Sequence, residues 1–316
     1  MAIAFTFPGQ GSQTVGMGKV LAETFPAARA VFDEVDDALG EKLSDIIFEG
    51  PEETLTLTAN AQPGLMAVSL AVIRVLEARG FSLKDKVAYV AGHSLGEYSA
   101  LCAVGTFSIA DTARLLRIRG NAMQRAVPVG EGAMAAIIGL EHADVEAVCT
   151  QASSGDVCQI ANDNGGGQIV ISGSKPAVEM AARLATELGA KRAIMLPVSA
   201  PFHSALMAPA AEAMREALAG VEKHDPVVPL VANVRAAPVT DADEIARLLV
   251  EQVTGQVRWR ETVEWFAANG VTTLYEIGAG KVLTGLARRI SKDVTGTAVG
   301  TAEEIEAALA VLMHKA

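Results

Sequence analysis

The 316-residue sequence has few cysteines and few aromatic residues. Its three cysteines, Cys102, Cys149 and Cys158, include no CxxC pair. An odd number without that spacing excludes a disulfide framework and a cysteine-based zinc site, and is typical of a chain kept in the reducing cytoplasm. Aromatic residues make up only 4% of the chain, whereas alanine and glycine abound. We therefore expect helices packed closely on a sheet.

Basic charge is also scarce. Lysine and arginine number 26 against 37 aspartates and glutamates, which gives a net charge of −11. This balance argues against nucleic acid and against an anionic membrane surface as partners. No uninterrupted apolar run is long enough to cross a bilayer, and no signal-like segment opens the chain. With 50% hydrophobic and 20% charged residues, we expect a cytoplasmic globular protein of one large domain with an insertion, or two domains.

The most informative stretch is VAYVAGHSLGE, residues 87–97. A strand-like apolar run ends at Gly92, and a helix-compatible segment begins at Leu95. A sharp strand-to-helix turn strains its central residue and requires small neighbours two positions away, as Gly92 and Gly96 are. Ser94 would then stand at the tip in front of a helix N-terminus, which favours a developing anion. This pattern is typical of a nucleophile elbow, although a bare G-x-S-x-G motif also occurs by chance.

A second glycine-rich turn, Pro8–Gln13, follows the first predicted strand, Ile3–Phe7. A dinucleotide-binding interpretation fails because Thr14 stands where the third glycine of G-x-G-x-x-G should be. The turn instead offers backbone N–H groups at the carboxyl end of a strand, where ligands bind in open α/β sheets.

Two histidines are candidates for a catalytic base. His142, His224 and His314 lie in polar contexts where we expect exposure, whereas His93 and His203 lie in rigid turns flanked by apolar residues. A single histidine in such a turn is usually structural. A serine elbow needs a base, however, and this favours His203.

A predicted helix from Ser108 to about Arg125 carries several arginines. Arg114 and Arg117 share one side of it, whereas Arg119 is rotated away. Either the arginines form a solvated basic face, or Arg119 alone turns towards the elbow. Helical periodicity does not choose between the two.

Gln62 precedes a long predicted helix that ends near Gly80. Its side chain either faces a ligand or forms part of a helix cap, and the cap is the simpler interpretation.

The middle of the chain changes pattern after Pro128–Gly132. Strand-like and helix-like segments alternate as β-α-β-β-α-β, which is the ferredoxin-like plan. The segments are strands at Ala133–Gly139, Val157–Asn162, Gln168–Ser172 and Lys191–Leu196, and helices at His142–Gln151 and Lys175–Leu188. We predict an α/β catalytic domain, residues 1–128 and 197–316, interrupted by a ferredoxin-like inserted subdomain, residues 129–196.

Six motifs follow one another in the order typical of one family: FPGQGSQ (7–13), QP (62–63), GHSLGE (92–97), RG (119–120), SAPFHS (199–204) and EIGAGKVL (276–283). Over essentially its full length the sequence resembles malonyl-CoA:acyl carrier protein transacylases of bacterial fatty acid synthesis. The resemblance implies a hydrolase-like α/β fold with a mainly parallel sheet and a ferredoxin-like insertion. It also implies ping-pong transfer of malonyl from malonyl-CoA to acyl carrier protein for fatty acid elongation, through a malonyl-serine. No metal or bound cofactor is implied, and we expect a monomer.

The resemblance assigns roles to catalytic residues. Ser94 would be the nucleophile and His203 the general base and acid. The backbone N–H groups of Gln10 and Leu95 would form the oxyanion hole. Gln252 would orient His203 through its main-chain carbonyl, so that no carboxylate completes a triad.

The resemblance also implies a substrate-binding set. Arg119 would clamp the free carboxylate of malonyl, because a guanidinium binds a carboxylate in a fork that lysine cannot reproduce. Phe202, beside the base, would crowd a 2-methyl branch and favour malonyl over methylmalonyl. Gln62 completes this set.

Two other function classes share these features. A serine hydrolase or thioesterase would use Ser94 and His203, but it would normally have an acidic third member, and no aspartate or glutamate has an obvious claim to that place. A non-catalytic carrier-binding module would not need Ser94, His203 and Arg119 together. Glu97 fits the first turn of the elbow helix and His93 fits simple packing, but their roles stay open.

The sequence also leaves two interpretations of the surface that would dock an acyl carrier protein. Such carriers are acidic and so is this chain, so docking requires a local basic patch. Lys281, Arg288, Arg289 and Lys292 are the candidates. A solvated helix face explains them equally well.

Overall fold

The larger of two sheets is six-stranded and mainly parallel in a computed structural model that describes residues 2–198 and 200–313. Its strand order is β10-β9-β1-β2-β7-β8. The strands are β1 (Ala2–Phe7), β2 (Tyr89–Gly92), β7 (Leu230–Ala232), β8 (Ala237–Val239), β9 (Val271–Ile277) and β10 (Thr295–Val299). Only the β7–β8 pair is antiparallel among these strands. The predicted α/β class with a mainly parallel sheet is confirmed.

Strand β1 lies in the middle of this sheet, and residues 3–7 are all buried. A parallel strand covered by helices on both faces has a continuous apolar sequence of this kind. It pairs in parallel with β2, with Phe7 opposite Gly92. The turns that follow β1 and β2 therefore meet at the same edge of the sheet.

Helices cover both faces of the large sheet. They are α1 (Lys19–Thr24), α2 (Pro26–Leu39), α3 (Leu43–Glu49), α4 (Glu52–Thr56), α5 (Thr58–Ala78), α6 (Leu83–Lys86), α7 (Gly96–Ala103), α8 (Ile109–Ala126), α11 (Ala208–Ala219), α12 (Ala242–Thr254), α13 (Trp259–Ala268), α14 (Val282–Ile290) and α15 (Ala302–Leu312), with a 3₁₀ turn at Ala205–Met207.

Helix α5 bears on the expected lack of a membrane-spanning run. Its 21 residues are long and apolar enough to cross a membrane by length and composition, although polar residues such as Gln62 and Arg74 interrupt the apolar sequence. In the fold, however, 89% of its most apolar window is buried inside the protein. The helix packs in the main core through residues such as Leu65, Val68 and Val72. Its hydropathy therefore reflects burial in the protein core.

The smaller sheet is antiparallel, with strand order β4-β5-β3-β6. Its elements are β3 (Gly132–Ile138), α9 (His142–Ala152), β4 (Cys158–Asp163), β5 (Gln168–Ser174), α10 (Lys175–Glu187) and β6 (Arg192–Met195). They share a separate core that includes Ile137, Val145, Ile171 and Val178. This order and connectivity confirm the ferredoxin-like part of the predicted fold. The boundaries at 128/129 and 196/197 stay a prediction.

Backbone hydrogen bonds join strand β4 of the smaller sheet to the loop between α12 and α13. The Val257 N–H donates to the Ala161 carbonyl at 2.8 Å, and the Asp163 N–H donates to the Val257 carbonyl at 3.0 Å. The buried Asp163 carboxylate also pairs with Arg260 at 2.9 Å. Strand β4 is thereby fixed against the loop between α12 and α13.

The three cysteines are buried and free. Cys149 and Cys158 belong to the smaller core, with their sulfur atoms 3.7 Å apart. This distance is that of a thiol–thiol contact and far exceeds a disulfide bond.

Candidate active site

The turn between β2 and α7 has the geometry of a nucleophile elbow. Ser94 has a φ of 54°, in the left-handed region that is costly for a residue with a Cβ. A Cβ built on Gly92 would lie 1.9 Å from the carbonyl group of Gly96, and one on Gly96 would lie 2.2 Å from the carbonyl oxygen of Phe7. Both contacts involve backbone atoms, so neither position accepts a side chain. The two glycines allow the strained turn that presents Ser94.

His203 reaches Ser94 from beyond the smaller sheet. Its Nε2 lies 2.7 Å from Ser94 Oγ. Its Nδ1 lies 2.9 Å from the Gln252 carbonyl oxygen and 3.2 Å from that of Gly255. A carbonyl oxygen only accepts, so Nδ1 carries the proton and Nε2 is left as the acceptor that faces the serine. The imidazole is thus held in the tautomer that a general base requires.

Burial keeps this imidazole neutral. Desolvation is the main cause, and the positive charge of Arg119 adds to it; together they lower the pKa of His203 to about 3. No carboxylate among the described residues hydrogen-bonds the ring. At neutral pH His203 is therefore unprotonated and able to accept a proton from Ser94.

Arg119 turns inwards, whereas Arg114 and Arg117 pair with Asp111 and Glu41 at the surface. The Arg119 side chain is only 2% exposed. Its Nη2 donates to Ser94 Oγ at 3.1 Å and to Gln252 Oε1 at 2.8 Å. Of the two interpretations of the arginine helix, the structure therefore supports the inward one for Arg119.

Two further contacts define the position of this guanidinium. Nη1 of Arg119 donates to Gln62 Oε1 at 2.8 Å, and the guanidinium carbon lies 5.6 Å from the centre of the Tyr98 ring. No carboxylate of the described residues hydrogen-bonds it. A cation beside the nucleophile that is held only by neutral acceptors is well suited to an anionic ligand.

The position of Gln62 contradicts its interpretation as part of a helix cap. It is buried inside α5, whose N-cap residue Leu57 makes no side-chain cap bond. Gln62 Nε2 donates to Thr58 Oγ1 at 2.9 Å, and this hydroxyl donates to Gln10 Oε1, also at 2.9 Å. A chain of polar contacts therefore runs from Arg119 to the glycine-rich turn after β1.

The two predicted oxyanion donors lie in the adjoining turns after β1 and β2. Gln10 follows β1, and Leu95 immediately precedes the first residue of α7. Neither backbone N–H makes a hydrogen bond to any other described residue. Both N–H groups are available to an external oxygen. The N-terminal end of α7 adds favourable partial charge at Leu95.

His93 has a structural environment. Its Nε2 lies 2.9 Å from Asn164 Oδ1, and its ring centre lies 5.7 Å from that of Trp259. Burial lowers the pKa of His93, so the ring is neutral and joins the elbow to the smaller sheet. Its packing role, one of the alternatives left open, accounts for these contacts.

Among the described residues, His142, His224 and Phe202 make no hydrogen bond to Ser94, His203 or Arg119. His224 is exposed as expected, but His142 is half-buried and lies 3.4 Å from Gln256 Nε2; His314 lies outside the described residues. Phe202 is buried in the main core, and its contact with a substrate branch stays a prediction. Within residues 2–198 and 200–313, no cluster of three His, Cys, Asp or Glu side chains could hold a metal ion.

Sequence patterns missed Asn233 and left Glu97 undecided. Asn233 Oδ1 accepts from the Ser94 N–H at 2.9 Å, and its Nδ2 donates to the Gly92 carbonyl at 2.6 Å. Its own N–H donates to Glu97 Oε1 at 3.1 Å. Asn233 directly follows β7, the neighbour of β2, and a polar residue at that edge of a parallel sheet is a recognisable signal.

Comparisons with known proteins agree along the whole chain. A family model described as an acyl transferase domain matches residues 4–315. The malonyl CoA-acyl carrier protein transacylase of Bacillus subtilis (strain 168) is 49% identical over 314 residues, which are 99% of this chain and 98% of the relative. A crystal structure of an acyl-carrier-protein-S-malonyltransferase from Bartonella henselae is 70% identical, with a TM-score of 0.98 over 99% of this chain and 100% of that one.

A second similar structure includes a carrier protein. It is a malonyl-transacylase in complex with its type II PKS acyl-carrier protein, 42% identical, with a TM-score of 0.95 over 98% of this chain and 100% of that one. Matches of this length and identity, together with the Ser94–His203 geometry, agree with the family resemblance of the sequence. The chain belongs to the acyl transferase domain family, within the branch of malonyl CoA-acyl carrier protein transacylases.

Proposed function

We propose that this protein transfers the malonyl group of malonyl-CoA to the phosphopantetheine thiol of an acyl carrier protein, and so supplies fatty acid chain elongation. The observation that carries the proposal is the contact of Ser94 Oγ with both His203 Nε2 and Arg119 Nη2, at 2.7 and 3.1 Å. One hydroxyl thus lies beside a neutral base and beside a cation. Thioester attack needs the first and recognition of a malonyl carboxylate needs the second.

In the first half-reaction, Ser94 Oγ attacks the thioester carbonyl carbon while its proton passes to His203 Nε2. The negative charge that forms on the carbonyl oxygen is stabilised by the N–H groups of Leu95 and Gln10. Removal of one such donor typically costs about 3–4 kcal/mol of transition-state stabilisation. The C–S bond then breaks, the sulfur of CoA takes the proton from His203, and a malonyl-Ser94 ester remains.

The second half-reaction runs the same steps with a different thiol. His203 accepts the proton of the phosphopantetheine thiol as its sulfur attacks the ester carbonyl. The tetrahedral intermediate uses the same two N–H groups, and its collapse returns the proton to Ser94 Oγ. This ping-pong order explains why one base and one oxyanion site suffice for both substrates.

Arg119 is proposed to select the acyl group. A malonyl carboxylate gives the buried guanidinium a charged acceptor, whereas an acetyl group leaves that position without one. Hydrogen bonds to charged groups contribute about 1.5–3 kcal/mol net. On this scale one clamp favours malonyl over acetyl by one to two orders of magnitude.

The remaining proposals concern the surface that docks the carrier protein, the cellular location and the oligomeric state. Lys281, Arg288, Arg289 and Lys292 are all exposed, although Lys281 pairs with Glu304 at 3.1 Å. We propose them as the patch that docks the acidic carrier, with the chain acting as a cytoplasmic monomer. Weaker transfer after charge reversal at Arg288 and Arg289, with unchanged acylation by malonyl-CoA, would support the patch; equal transfer would refute it.

The acceptor distinguishes this function from hydrolysis. We expect purified enzyme with malonyl-CoA to form malonyl carrier protein in the presence of the phosphopantetheinylated carrier, and to release little free malonate in its absence. Mass spectrometry of the carrier and chromatography of malonate measure the two products. Malonate release at the rate of carrier loading would favour a thioesterase and contradict the proposal.

A further inference from the structure

The buried carboxylate of Glu97 has no place in the mechanism above, yet it lies at the centre of the polar contacts behind the nucleophile. The residue is 2% exposed and sits in the first turn of α7. Its Oε1 accepts from the Asn233 N–H at 3.1 Å, and its Oε2 accepts from Gln252 Nε2 at 2.5 Å. Both oxygens therefore face donors, so the site requires two acceptors.

Gln252 connects this carboxylate to the specificity residue. Its Oε1 accepts from Arg119 Nη2 at 2.8 Å. Its Nε2 faces Glu97 Oε2 and also the Ser94 carbonyl oxygen at 2.9 Å. Rotation of this amide by 180° would turn its oxygen against two acceptors and its NH₂ group against a guanidinium. Glu97 therefore opposes the orientation in which Gln252 would repel Arg119.

We propose that Glu97 is a positioning residue for malonyl specificity: its two carboxylate oxygens hold the Gln252 amide in the orientation that fixes Arg119 beside Ser94. This inference rests on the proposed function and assigns it a further determinant. Glu97 makes no hydrogen bond to Ser94 Oγ or to His203. It acts through Gln252, and the anionic carboxylate is the form that presents two acceptors.

The protonation state of Glu97 gives this role a measurable signature. Burial is the main influence on the carboxyl group and raises its pKa to about 7, while the bonds from Asn233 and Gln252 and the charge of Arg119 oppose the rise. The titratable group that acts on the Glu97 pKa is Arg119 from α8, and the charge of Glu97 in turn raises the pKa of its neighbour Tyr98 in α7. Below about pH 7 one oxygen becomes a donor and faces another donor. We expect the preference for malonyl to weaken there.

The test compares Glu97→Gln with Glu276→Gln in the full chain. Glu276 is a matched control because it is 1% exposed and also accepts two donors, the N–H groups of Leu283 and Thr284, at 3.0 and 2.7 Å. Malonyl-CoA and acetyl-CoA are assayed with phosphopantetheinylated carrier protein across the pH range of stability. We expect Glu97→Gln to lower the malonyl-to-acetyl ratio of kcat/KM about tenfold, through loss of one charge-assisted bond in the chain that holds Arg119. Glu276→Gln should leave that ratio unchanged.

The wild-type protein supplies a second measurement, which stands even if Glu97→Gln fails to fold. Its malonyl-to-acetyl ratio should fall as the pH is lowered through about 7, and Glu97→Gln, where folded, should lose this dependence. A ratio that is independent of pH in the wild type, or that matches wild type in a folded Glu97→Gln variant, would overturn the proposal. Absence of malonyl transfer by the wild type would instead contradict the proposed function itself.

Discussion

Ser94 and His203 are 109 positions apart in sequence, yet Oγ of the first and Nε2 of the second lie 2.7 Å from each other. Both residues also have positive φ angles, 54° and 57°, which only Ala236 shares among the described non-glycine residues. Such backbone strain persists only where the surrounding structure over-determines it, and it concentrates at functional sites. The fold thus stabilises strained backbone conformations at Ser94 and His203, and these place the serine hydroxyl against the imidazole.

Replacement of Arg119 by alanine should separate malonyl from acetyl transfer. The variant loses the only cation that contacts Ser94 Oγ in the described residues, so we expect malonyl transfer to fall by roughly two orders of magnitude. Acetyl transfer should stay the same or increase. Arg119→Lys is the matched control, because it keeps the charge without the fork and should recover only part of the malonyl activity. Equal losses for both acyl groups in Arg119→Ala would rule out the clamp.

Gly96 should not tolerate a methyl group. In Gly96→Ala the new Cβ would lie 2.2 Å from the Phe7 carbonyl oxygen, and overpacking of a core with displacement of backbone costs about 1–3 kcal/mol. We expect the free energy of unfolding to fall by an amount at the upper end of this range, as measured by urea denaturation. Gly285→Ala in α14 is the control, since the nearest atom lies 3.8 Å away. There alanine should stabilise the helix by up to about 1 kcal/mol, and similar values for the two variants would contradict this view of the elbow.

The buried neutral His203 should make stability depend on pH. Its pKa is about 3 in the fold against 6.5 for the free side chain, so between these values the unfolded chain binds a proton that the native state does not. Stability is therefore lost as the pH falls below about 6.5. His203→Asn removes this effect while asparagine tolerates the positive φ. Glu97 has the opposite effect, because its raised pKa favours the native state at lower pH, but it is present in both proteins and cancels in the comparison.

The measurement is the difference in unfolding free energy between wild type and His203→Asn. Relative to the variant, the wild type should lose about 2 kcal/mol between about pH 8 and about pH 5. Urea denaturation at the two pH values gives this difference. A constant difference would mean that the native imidazole titrates normally and that burial does not keep it neutral.

Strong local patterns predicted most of the fold. Helix α2 (Pro26–Leu39) is one such element, because proline in its first turn and an apolar face at helical spacing mark it clearly. Strand β10 and helix α11 were missed. The first is five residues of TGTAV that gain their strand conformation by pairing with β9, and the second is an alanine-rich segment after a turn whose apolar face is defined by its packing.

The site was predictable only where a residue type carries its own chemistry. Ser94 and His203 stand in distinctive turns, but the inward direction of Arg119 depends on how α8 packs against α5 and α7. Gln252 was assigned for its main-chain carbonyl alone. Its side chain nevertheless contacts Arg119, Glu97 and the Ser94 carbonyl oxygen, because α12 ends at the same sheet edge. Such contacts between distant segments are absent from local sequence patterns.

The most direct test of the central claim is the mass of the intact protein after brief mixing with malonyl-CoA. The wild type should gain the mass of one malonyl group, and a peptide map should locate it on Ser94. Ser94→Ala, which removes only the hydroxyl, should fold normally and gain nothing. A malonyl adduct of equal yield on Ser94→Ala, or none on a wild type that still loads the carrier protein, would contradict transfer through this serine.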